Sequence, residues 1–354
     1  MQARIVALPL TLALVACQQM GYRPRGTSGP TIVTESDAGG LRDLRQHTFV
    51  DDDSIRCFEP ELSPDGMSLA FTMSKQEQDG REYLADIYIK PPNGRAQTQK
   101  TFHPLDDWGA AISPDGSKVA FATSRNGTSD IFVMNTAGGR AKRQITSGDQ
   151  YDIAPSWSAD GTRIAFSRYS FTAGEWEIWT FDLTSGALTS VVPGLFPQYS
   201  PVDNTLLFQR LDSTSGNFAI WTADDAGFNE SQIAASSGDT FTQPKWSPDG
   251  KKIVFCSGGK VVAKSRTFSR SNEPVQFGSA DDIWEVRGND IWLVDADGTG
   301  LTQLTTTGQA EFSPSWGADN RIYFALERDG AVNIWSALPE TVDVTGSAPG
   351  SGAQ

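Results

Sequence analysis

Acidic and aromatic side chains recur together in six short segments of this 354-residue sequence. Carboxylates can act as acids or bases, and aromatic faces attract cations. An acidic mouth lined by aromatic rings would therefore bind a cationic group or a basic peptide by charge complementarity. The members of this set are Asp52, Asp53, Glu59, Asp106, Asp107, Trp108, Asp149, Tyr151, Asp152, Phe196, Asp239, Phe241, Glu311 and Phe312.

Two other interpretations of the same residues stay open. The carboxylates could cap and bond the local backbone while the aromatic side chains pack between structural units. Alternatively, two carboxylates could be the acid and base of a carbohydrate-active or hydrolytic enzyme, with or without calcium. Carboxylates are so plentiful that the sequence does not choose a pair. We therefore predict a binding role, and we assign no catalytic residue, no metal and no cofactor.

The composition argues against several other kinds of site. The formal net charge of −14 disfavours nucleic acid as a partner, because an acidic surface repels a polyanion. With His47 and His103 as the only histidines, a multi-histidine metal site cannot form. The sequence also lacks the Gly-x-Ser-x-Gly, phosphate-loop, His-Glu-x-x-His and paired-cysteine zinc patterns. Residues 295–300 resemble the start of a calcium loop but lack its closing glutamate, which predicts a plain turn.

The first residues have the order of a secretory signal. Arg4 is followed by an apolar run, and residues 1–16 are too short to remain as a membrane span. Leu14-Val15-Ala16-Cys17 resembles the bacterial lipobox, which implies cleavage before Cys17 and acylation of that cysteine. Gln18 after the lipobox implies the outer membrane, facing the periplasm, with the outer leaflet of the plasma membrane as the alternative. Loss of Arg4 with the signal would leave a mature net charge of −15.

Both ends of the mature chain have the composition of linkers. Residues 17–40 and 344–354 are rich in glycine, proline and hydroxyl side chains and show no apolar period. They predict a flexible tether and a disordered tail.

A repeated segment runs through the rest of the chain. In its first five copies a serine and a closing phenylalanine stand eight residues apart. Proline fixes φ, aspartate bonds the following backbone and glycine adopts a positive φ, so Ser-Pro-Asp-Gly predicts a tight turn between two strands. Each copy is followed by an isoleucine-centred strand, and the first five copies also by a more polar outer strand, so that a complete unit is a four-stranded propeller blade. The copies are ELSPDGMSLAF (61–71), AISPDGSKVAF (111–121), SWSADGTRIAF (156–166), QYSPVDNTLLF (198–208), KWSPDGKKIVF (245–255) and SWGADNRIYF (315–324).

Six copies predict an all-β, six-bladed propeller of four-stranded antiparallel blades over residues 41–343. The sixth copy has no outer strand after Ile334, whereas residues 44–49 look like the outer strand at 143–146. We therefore predict that an N-terminal strand completes the last blade and closes the ring. Cys57 and Cys256 then fall in blades that are not adjacent, which favours two buried free thiols over a disulfide.

The Ser-Pro-Asp-Gly, Ala-Phe and Asp-Ile-Trp elements resemble the TolB-type, WD-like propeller repeat over about residues 41–340. This resemblance implies a non-catalytic scaffold that binds an envelope protein or a basic peptide, although sites are grafted onto such folds by their loops. TolB itself carries an α/β domain ahead of its propeller, where this sequence has the expected tether. Related pectin lyases use histidine-rich metal sites and related peptidases use a following α/β-hydrolase domain, and we expect neither here.

The antiparallel order of a blade predicts where the six acidic segments lie. The connections between blades and the turns between second and third strands share one face, and the Ser-Pro-Asp-Gly turns share the other. The acidic segments are such connections, so we expect them around the mouth of the central channel. An insertion at residues 260–288 belongs to the same face and could form a lid or an ordinary loop. Its basic residues are Lys260, Lys264, Arg266 and Arg270.

Overall fold

The computed structural model describes residues 40–51, 54–76, 83–138, 142–171, 174–259 and 290–340. These residues form 24 β-strands, numbered here in chain order, in a propeller of sheets whose consecutive strands are antiparallel. In this part of the chain no helix has the length and apolar character of a membrane span. The predicted signal peptide, Cys17, the tether up to residue 39, the basic insertion and the tail lie outside the described residues.

Four sheets are separate four-stranded blades, as the repeat predicts. Blade A consists of β6 (Asp107–Ile112), β7 (Lys118–Thr123), β8 (Asp130–Asn135) and β9 (Lys142–Gln144). Blade B consists of β10 (Tyr151–Trp157), β11 (Arg163–Ser170), β12 (Glu175–Asp182) and β13 (Leu188–Pro193). Blade C consists of β14 (Leu195–Tyr199), β15 (Leu206–Leu211), β16 (Phe218–Ala223) and β17 (Ser231–Ala234). Blade D consists of β18 (Asp239–Trp246), β19 (Lys252–Gly259), β20 (Asp290–Asp295) and β21 (Thr302–Gln303).

The other eight strands form one continuous sheet, and the prediction of six separate blades is therefore wrong. A parallel bridge between Arg56 and Val332 joins the sheet that begins the repeats to the sheet that ends them. The propeller thus has four four-stranded blades and one eight-stranded sheet. The strands of this sheet are β1 (Leu41–Gln46), β2 (Ile55–Leu62), β3 (Leu69–Gln76), β4 (Tyr83–Lys90), β5 (Thr98–Gln99), β22 (Ala310–Trp316), β23 (Ile322–Arg328) and β24 (Ala331–Pro339).

The Ser-Pro-Asp-Gly turns have the predicted chemistry. In the first copy the Ser63 hydroxyl donates to Asp65 at 2.5 Å, and Asp65 accepts the backbone N–H of Met67. The backbone N–H of Ser68 then donates to Ser63 Oγ, while Gly66 takes a φ of 72°. Serine and aspartate close the turns that begin at Ser113, Ser158 and Ser247 in the same way.

The core lies mainly between neighbouring sheets. The closing phenylalanine of every repeat is at most 1% exposed. One apolar cluster joins the eight-stranded sheet to blade A, another joins blade B to blade C, and a third joins blade C to blade D. Burial of these side chains contributes roughly 1.5–3 kcal/mol each and holds the sheets in a fixed arrangement.

In several blades a threonine just after the outer strand forms hydrogen bonds with the third strand. Thr101 Oγ1 accepts the N–H of Ile87 at 2.9 Å and donates to Asp86 at 2.8 Å. Thr146 and Thr305 accept the corresponding isoleucine N–H groups in blades A and D. The shared sequence signal is Gln-x-Thr, which occurs at 99–101, 144–146 and 303–305.

The N-terminal segment, residues 41–50, contains the same signal at 46–48 and makes the same contacts. Thr48 Oγ1 accepts the N–H of Ile334 at 2.8 Å and donates to Asn333 at 3.0 Å. β1 pairs antiparallel with β24, from Leu41 opposite Pro339 to Gln46 opposite Trp335. The expectation that an N-terminal strand pairs with the last strand is confirmed.

His47 lies at the centre of this closure and is 4% exposed. Its Nδ1 lies 2.8 Å from the carbonyl oxygen of Pro92, and its Nε2 lies 2.8 Å from Ser336 Oγ. Ser336 Oγ also accepts the Nε–H of Arg321, so its own proton is directed to His47 Nε2 and the imidazole is neutral. Burial lowers the pKa of His47 to about 4, and the nearby positive charges of Lys90 and Arg321 act in the same direction.

We predict that acid weakens the fold through His47. The unfolded chain takes up this proton near pH 6.5 but the native protein only near pH 4, so stability falls as pH decreases across that interval. The full difference corresponds to about 3 kcal/mol. In urea titrations, the stability advantage of the wild type over His47→Gln should therefore shrink between pH 7 and pH 4.5. The control His103→Gln should keep the wild-type acid sensitivity, and parallel pH curves for wild type and His47→Gln would contradict the assignment.

Candidate functional site

The crossover face is the face of the propeller that carries the connections between sheets and the turns between second and third strands. Asp107 pairs with Thr123 at the end of β7, and Tyr151 pairs with Tyr169 at the end of β11. The first residues of β6 and β10, the first strands of blades A and B, therefore lie beside the turns that follow the second strands β7 and β11, as predicted. Asp52 and Asp53 of the predicted mouth, and all four basic residues of the predicted lid, lie outside the described residues.

Two of the predicted mouth carboxylates are buried in ion pairs. Asp107 is fully buried and accepts two bonds from Arg125 Nη2, at 2.8 and 3.1 Å. Asp152 is fully buried and accepts Arg168 Nε and Nη2, both at 2.7 Å. Arg168 lies on the second strand of blade B and Arg125 in the turn that follows the second strand of blade A, so each pair ties the start of the first strand to the end of the second.

Glu311 and Asp106 are also buried and bonded. Glu311 accepts the Thr307 hydroxyl at 2.5 Å and lies 3.5 Å from the Thr305 hydroxyl. Burial raises the pKa of Glu311 to about 7. Asp106 accepts the backbone N–H of Ala85 in the eight-stranded sheet at 2.9 Å. These carboxylates hold the connections in place, which is one of the interpretations that the sequence left open.

The remaining predicted residues divide between the core and the rim. Asp149 is exposed, whereas Tyr151 and Asp239 are partly exposed at the start of their strands. The side chains of the other three residues pack in the core. Their exposed fractions are 3% for Trp108, 1% for Phe241 and 7% for Phe312. Their predicted role in partner binding remains a prediction.

A central cavity of about 70 Å³ opens where the six inner strands meet. Each of these strands has a bulge whose residue has a positive φ and lines the cavity. The six residues are Glu59 (53°), Gly109 (64°), Ala154 (55°), Phe196 (52°), Gln243 (54°) and Ser313 (51°). Of the predicted mouth residues, the structure thus brings Glu59 and Phe196 together at the cavity.

The bulges join neighbouring sheets by hydrogen bonds. The N–H of Gly109 donates to Glu59 Oε2 at 2.9 Å, and the N–H of Phe196 donates to Ser167 Oγ at 2.9 Å. The N–H of Gln243 donates to Gln209 Oε1 at 2.8 Å. Each of these bonds runs from the backbone of one sheet to a side chain of the preceding sheet. The bulges therefore link neighbouring sheets around the cavity.

The charged groups of the cavity are paired with each other or with backbone. Glu59 Oε2 accepts the Thr72 hydroxyl as well as Gly109 N–H, and burial raises the pKa of Glu59. Glu61 Oε2 lies 3.5 Å from Lys245 Nζ and 3.4 Å from Ser315 Oγ. Clefts that enclose small ligands usually measure about 300–1,000 Å³, so the cavity accommodates little more than water.

Sequence reasoning missed these bulges, although it had a signal for them. Five of the six positive-φ residues precede a proline, and that proline stands three residues before the turn serine in four copies, as in Pro60 and Ser63. Proline inside a strand indicates an edge or a bulge. Gly109 is the exception, with Ala110 in place of proline.

Two smaller expectations are settled by the geometry. The segment that resembles a calcium loop is a turn before β21, in which Asp297 accepts the backbone N–H and the hydroxyl of Thr299. Asp295 instead pairs with Lys252 at 2.5 Å. Cys57 and Cys256 are free and buried, as the repeat favoured.

Comparisons with known proteins agree with this fold. Residues 41–191 match the TolB beta propeller domain family. The Tol-Pal system protein TolB of Anaeromyxobacter dehalogenans is 35% identical over 89 residues, which are 22% of this chain and 20% of that protein. The TolB homolog of Chlorobium luteolum is 30% identical over 173 residues, which are 46% of this chain and 36% of that protein. The alignments thus span about a third or less of these relatives, and the chain has a TolB-like propeller.

Solved structures share the fold at low sequence identity. A putative TolB from Agrobacterium tumefaciens has a TM-score of 0.54 and 22% identity, over 80% of this chain and 90% of that one. An oligogalacturonate lyase in complex with manganese has a TM-score of 0.51 and 16% identity, over 85% and 98% of the two chains. Because one scaffold serves both a TolB and an enzyme, the fold alone does not decide the function.

Proposed function

We propose that this protein is a non-catalytic, protein-binding scaffold of the bacterial cell envelope, whose propeller presents the crossover face to an envelope protein. The matches to TolB proteins support an envelope role. The lipobox supports lipid attachment at Cys17, which would hold the propeller at the periplasmic side of the outer membrane.

The observation that carries this proposal is the state of the carboxylates at the crossover face. Asp107 and Asp152 are tied to arginines, and Glu311 and Asp106 to hydroxyl or backbone groups. A general acid or base must reach its substrate, and fully buried ion-paired carboxylates do not. Their role is to make the face rigid, which favours a preformed surface for a protein partner.

Exposed apolar side chains are available for protein contact on the crossover face. Phe49, Phe102, Leu105, Phe171 and Leu211 are 38–72% exposed, and the topology places all five there. Met67, Leu188, Val202, Phe228 and Leu301 are exposed at the opposite face, so apolar exposure by itself does not select between the two faces. The acidic composition of the chain favours a partner with a basic segment.

Photo-crosslinking from the two faces tests the proposal. A photoreactive phenylalanine analogue replaces either Phe102, which is 72% exposed at the crossover face, or Met67, which is 71% exposed at the opposite face. We expect the full chain, expressed in its own cells, to capture one stoichiometric envelope protein from position 102 but not from position 67. Cys17→Ser should reduce the capture. Equal capture from both positions, or none together with turnover of an envelope glycan, would overturn the proposal.

A further inference from the structure

Four aromatic side chains meet at the crossover-face end of blade B, where β10, β11 and β12 lie side by side. Tyr151 begins β10, Tyr169 is the last residue but one of β11, Phe171 directly follows that strand, and Trp176 is the second residue of β12. The ring of Phe171 lies 5.6 Å from Tyr151 and 5.2 Å from Tyr169, which in turn lies 5.4 Å from Trp176. We call Tyr151, Tyr169, Phe171 and Trp176 the rim patch.

Much of the aromatic surface of the rim patch is exposed. Phe171 is 57% exposed, and Tyr151 and Trp176 are partly exposed. Trp176 packs against the apolar core on its inner side, so the patch is anchored to the scaffold. A rigid aromatic cluster of this kind has the composition of an interface hot spot.

Elsewhere on the propeller the chain covers such rings with its own arginines. The Arg168 guanidinium lies 5.3 Å from the Phe166 ring and 4.8 Å from the Trp179 ring. Arg210 bridges Phe208 and Trp221 in the same way, at 5.6 and 4.1 Å. Within the described residues, none of the cation–π contacts involves Tyr151, Phe171 or Trp176.

Charge and ring geometry both favour a cationic ligand. Asp149 and Glu175 are exposed next to the patch, two residues before Tyr151 and one before Trp176, and neither forms an ion pair within the described chain. The neighbouring rings are inclined at 54°, 87° and 62°, so they give no flat surface for a stacked sugar or base. Inclined rings beside carboxylates suit a guanidinium or ammonium group.

We propose that the rim patch binds a basic peptide segment of the partner protein, with an arginine side chain against Phe171 and Tyr151 and its charge near Asp149 and Glu175. The proposal rests on the proposed scaffold function and adds the place and the chemistry of recognition. It places recognition at the crossover-face ends of β10, β11 and β12 and not in the central cavity.

Fluorescence anisotropy with a labelled peptide of alternating arginine and glycine tests this on the full chain. We expect saturable binding that is absent for the matching glutamate–glycine peptide and weaker for the lysine–glycine peptide. The double variant Tyr151→Ala/Phe171→Ala should weaken binding roughly tenfold or more, because it removes the ring faces but no charge. The matched control is Phe228→Ala, which removes a 69% exposed ring from the opposite face and should leave binding unchanged.

A second variant separates ring contact from general acidity. Asp149→Asn/Glu175→Gln should weaken binding and reduce its dependence on salt. Equal affinities for wild type and the Tyr151→Ala/Phe171→Ala variant, with both still showing the native thermal transition, would overturn the rim patch as the site. Absence of binding by the wild type would overturn it as well. In either case, photo-crosslinking of an envelope protein from position 102 would still support the scaffold function. The two proposals can therefore fail independently.

Discussion

We expect the deletion of residues 41–50 to abolish the cooperative unfolding transition of this protein. The segment supplies the strand that pairs with β24, and it buries Leu41, His47 and Thr48. Its loss would leave Asn333, which is 5% exposed, without the Thr48 hydroxyl and the backbone of Val50 that satisfy its amide. Buried polar groups without partners cost about 1–3 kcal/mol each, in addition to the lost apolar burial.

Moving the segment provides the matched control for this deletion. Leu41 lies opposite Pro339, and the N–H of Glu340 donates to the carbonyl oxygen of Gly40, so the start of β1 and the end of β24 are close enough for a short turn to join them. A variant that carries residues 41–50 after residue 340, joined by a short turn, should regain the transition seen by circular dichroism and urea titration. A deletion variant that melts like the wild type would contradict the closing role of β1.

Asp152→Ala is the point substitution for which we expect the largest loss of stability, about 3–5 kcal/mol. The change leaves Arg168, which is 8% exposed, without its carboxylate while its guanidinium remains between Phe166 and Trp179. Water cannot solvate this cation fully, so the uncompensated charge destabilises the folded state. Urea titration at neutral pH measures the difference.

Two controls define what this loss means. The double variant Asp152→Leu/Arg168→Met removes both charges and should recover much of the stability, because an apolar pair can replace a buried ion pair. Lys251→Ala removes one partner of a pair that is 80% and 60% exposed, and it should change stability by about 0.5 kcal/mol or less. A loss below about 1 kcal/mol for Asp152→Ala would contradict the structural role of this pair.

The repeat made most of the fold predictable. Ser63, Asp65 and Gly66 act within a few residues of each other, so one copy of the turn contains all the information that the turn needs. The bridge between Arg56 and Val332 is different, because it joins residues from opposite ends of the described chain. The repeat motif describes contacts between residues close together in the chain and contains no information about this one. The predicted number of separate blades was wrong for this reason.

The candidate site was less predictable for a comparable reason. The sequence located the acidic segments on the correct face, but Asp152 and Arg168 are 16 residues apart and their pairing depends on how the strands register. The exposed Asp149 lies in the connection before β10, whereas the buried Asp152 lies within that strand, opposite Arg168. Telling the two aspartates apart therefore requires the exact start of the strand and its register.

The pairing of β1 with β24 also makes the start of the described chain a force-bearing element. Any load carried by the polypeptide ahead of Gly40 enters the propeller at Gly40, whose N–H donates to Leu304 and whose carbonyl oxygen accepts the N–H of Glu340. A pull along β1 would strain all of its registered pairs with β24 together, whereas a pull across the strand would break them one after another. The direction of tension on the chain would therefore set how long the ring stays closed.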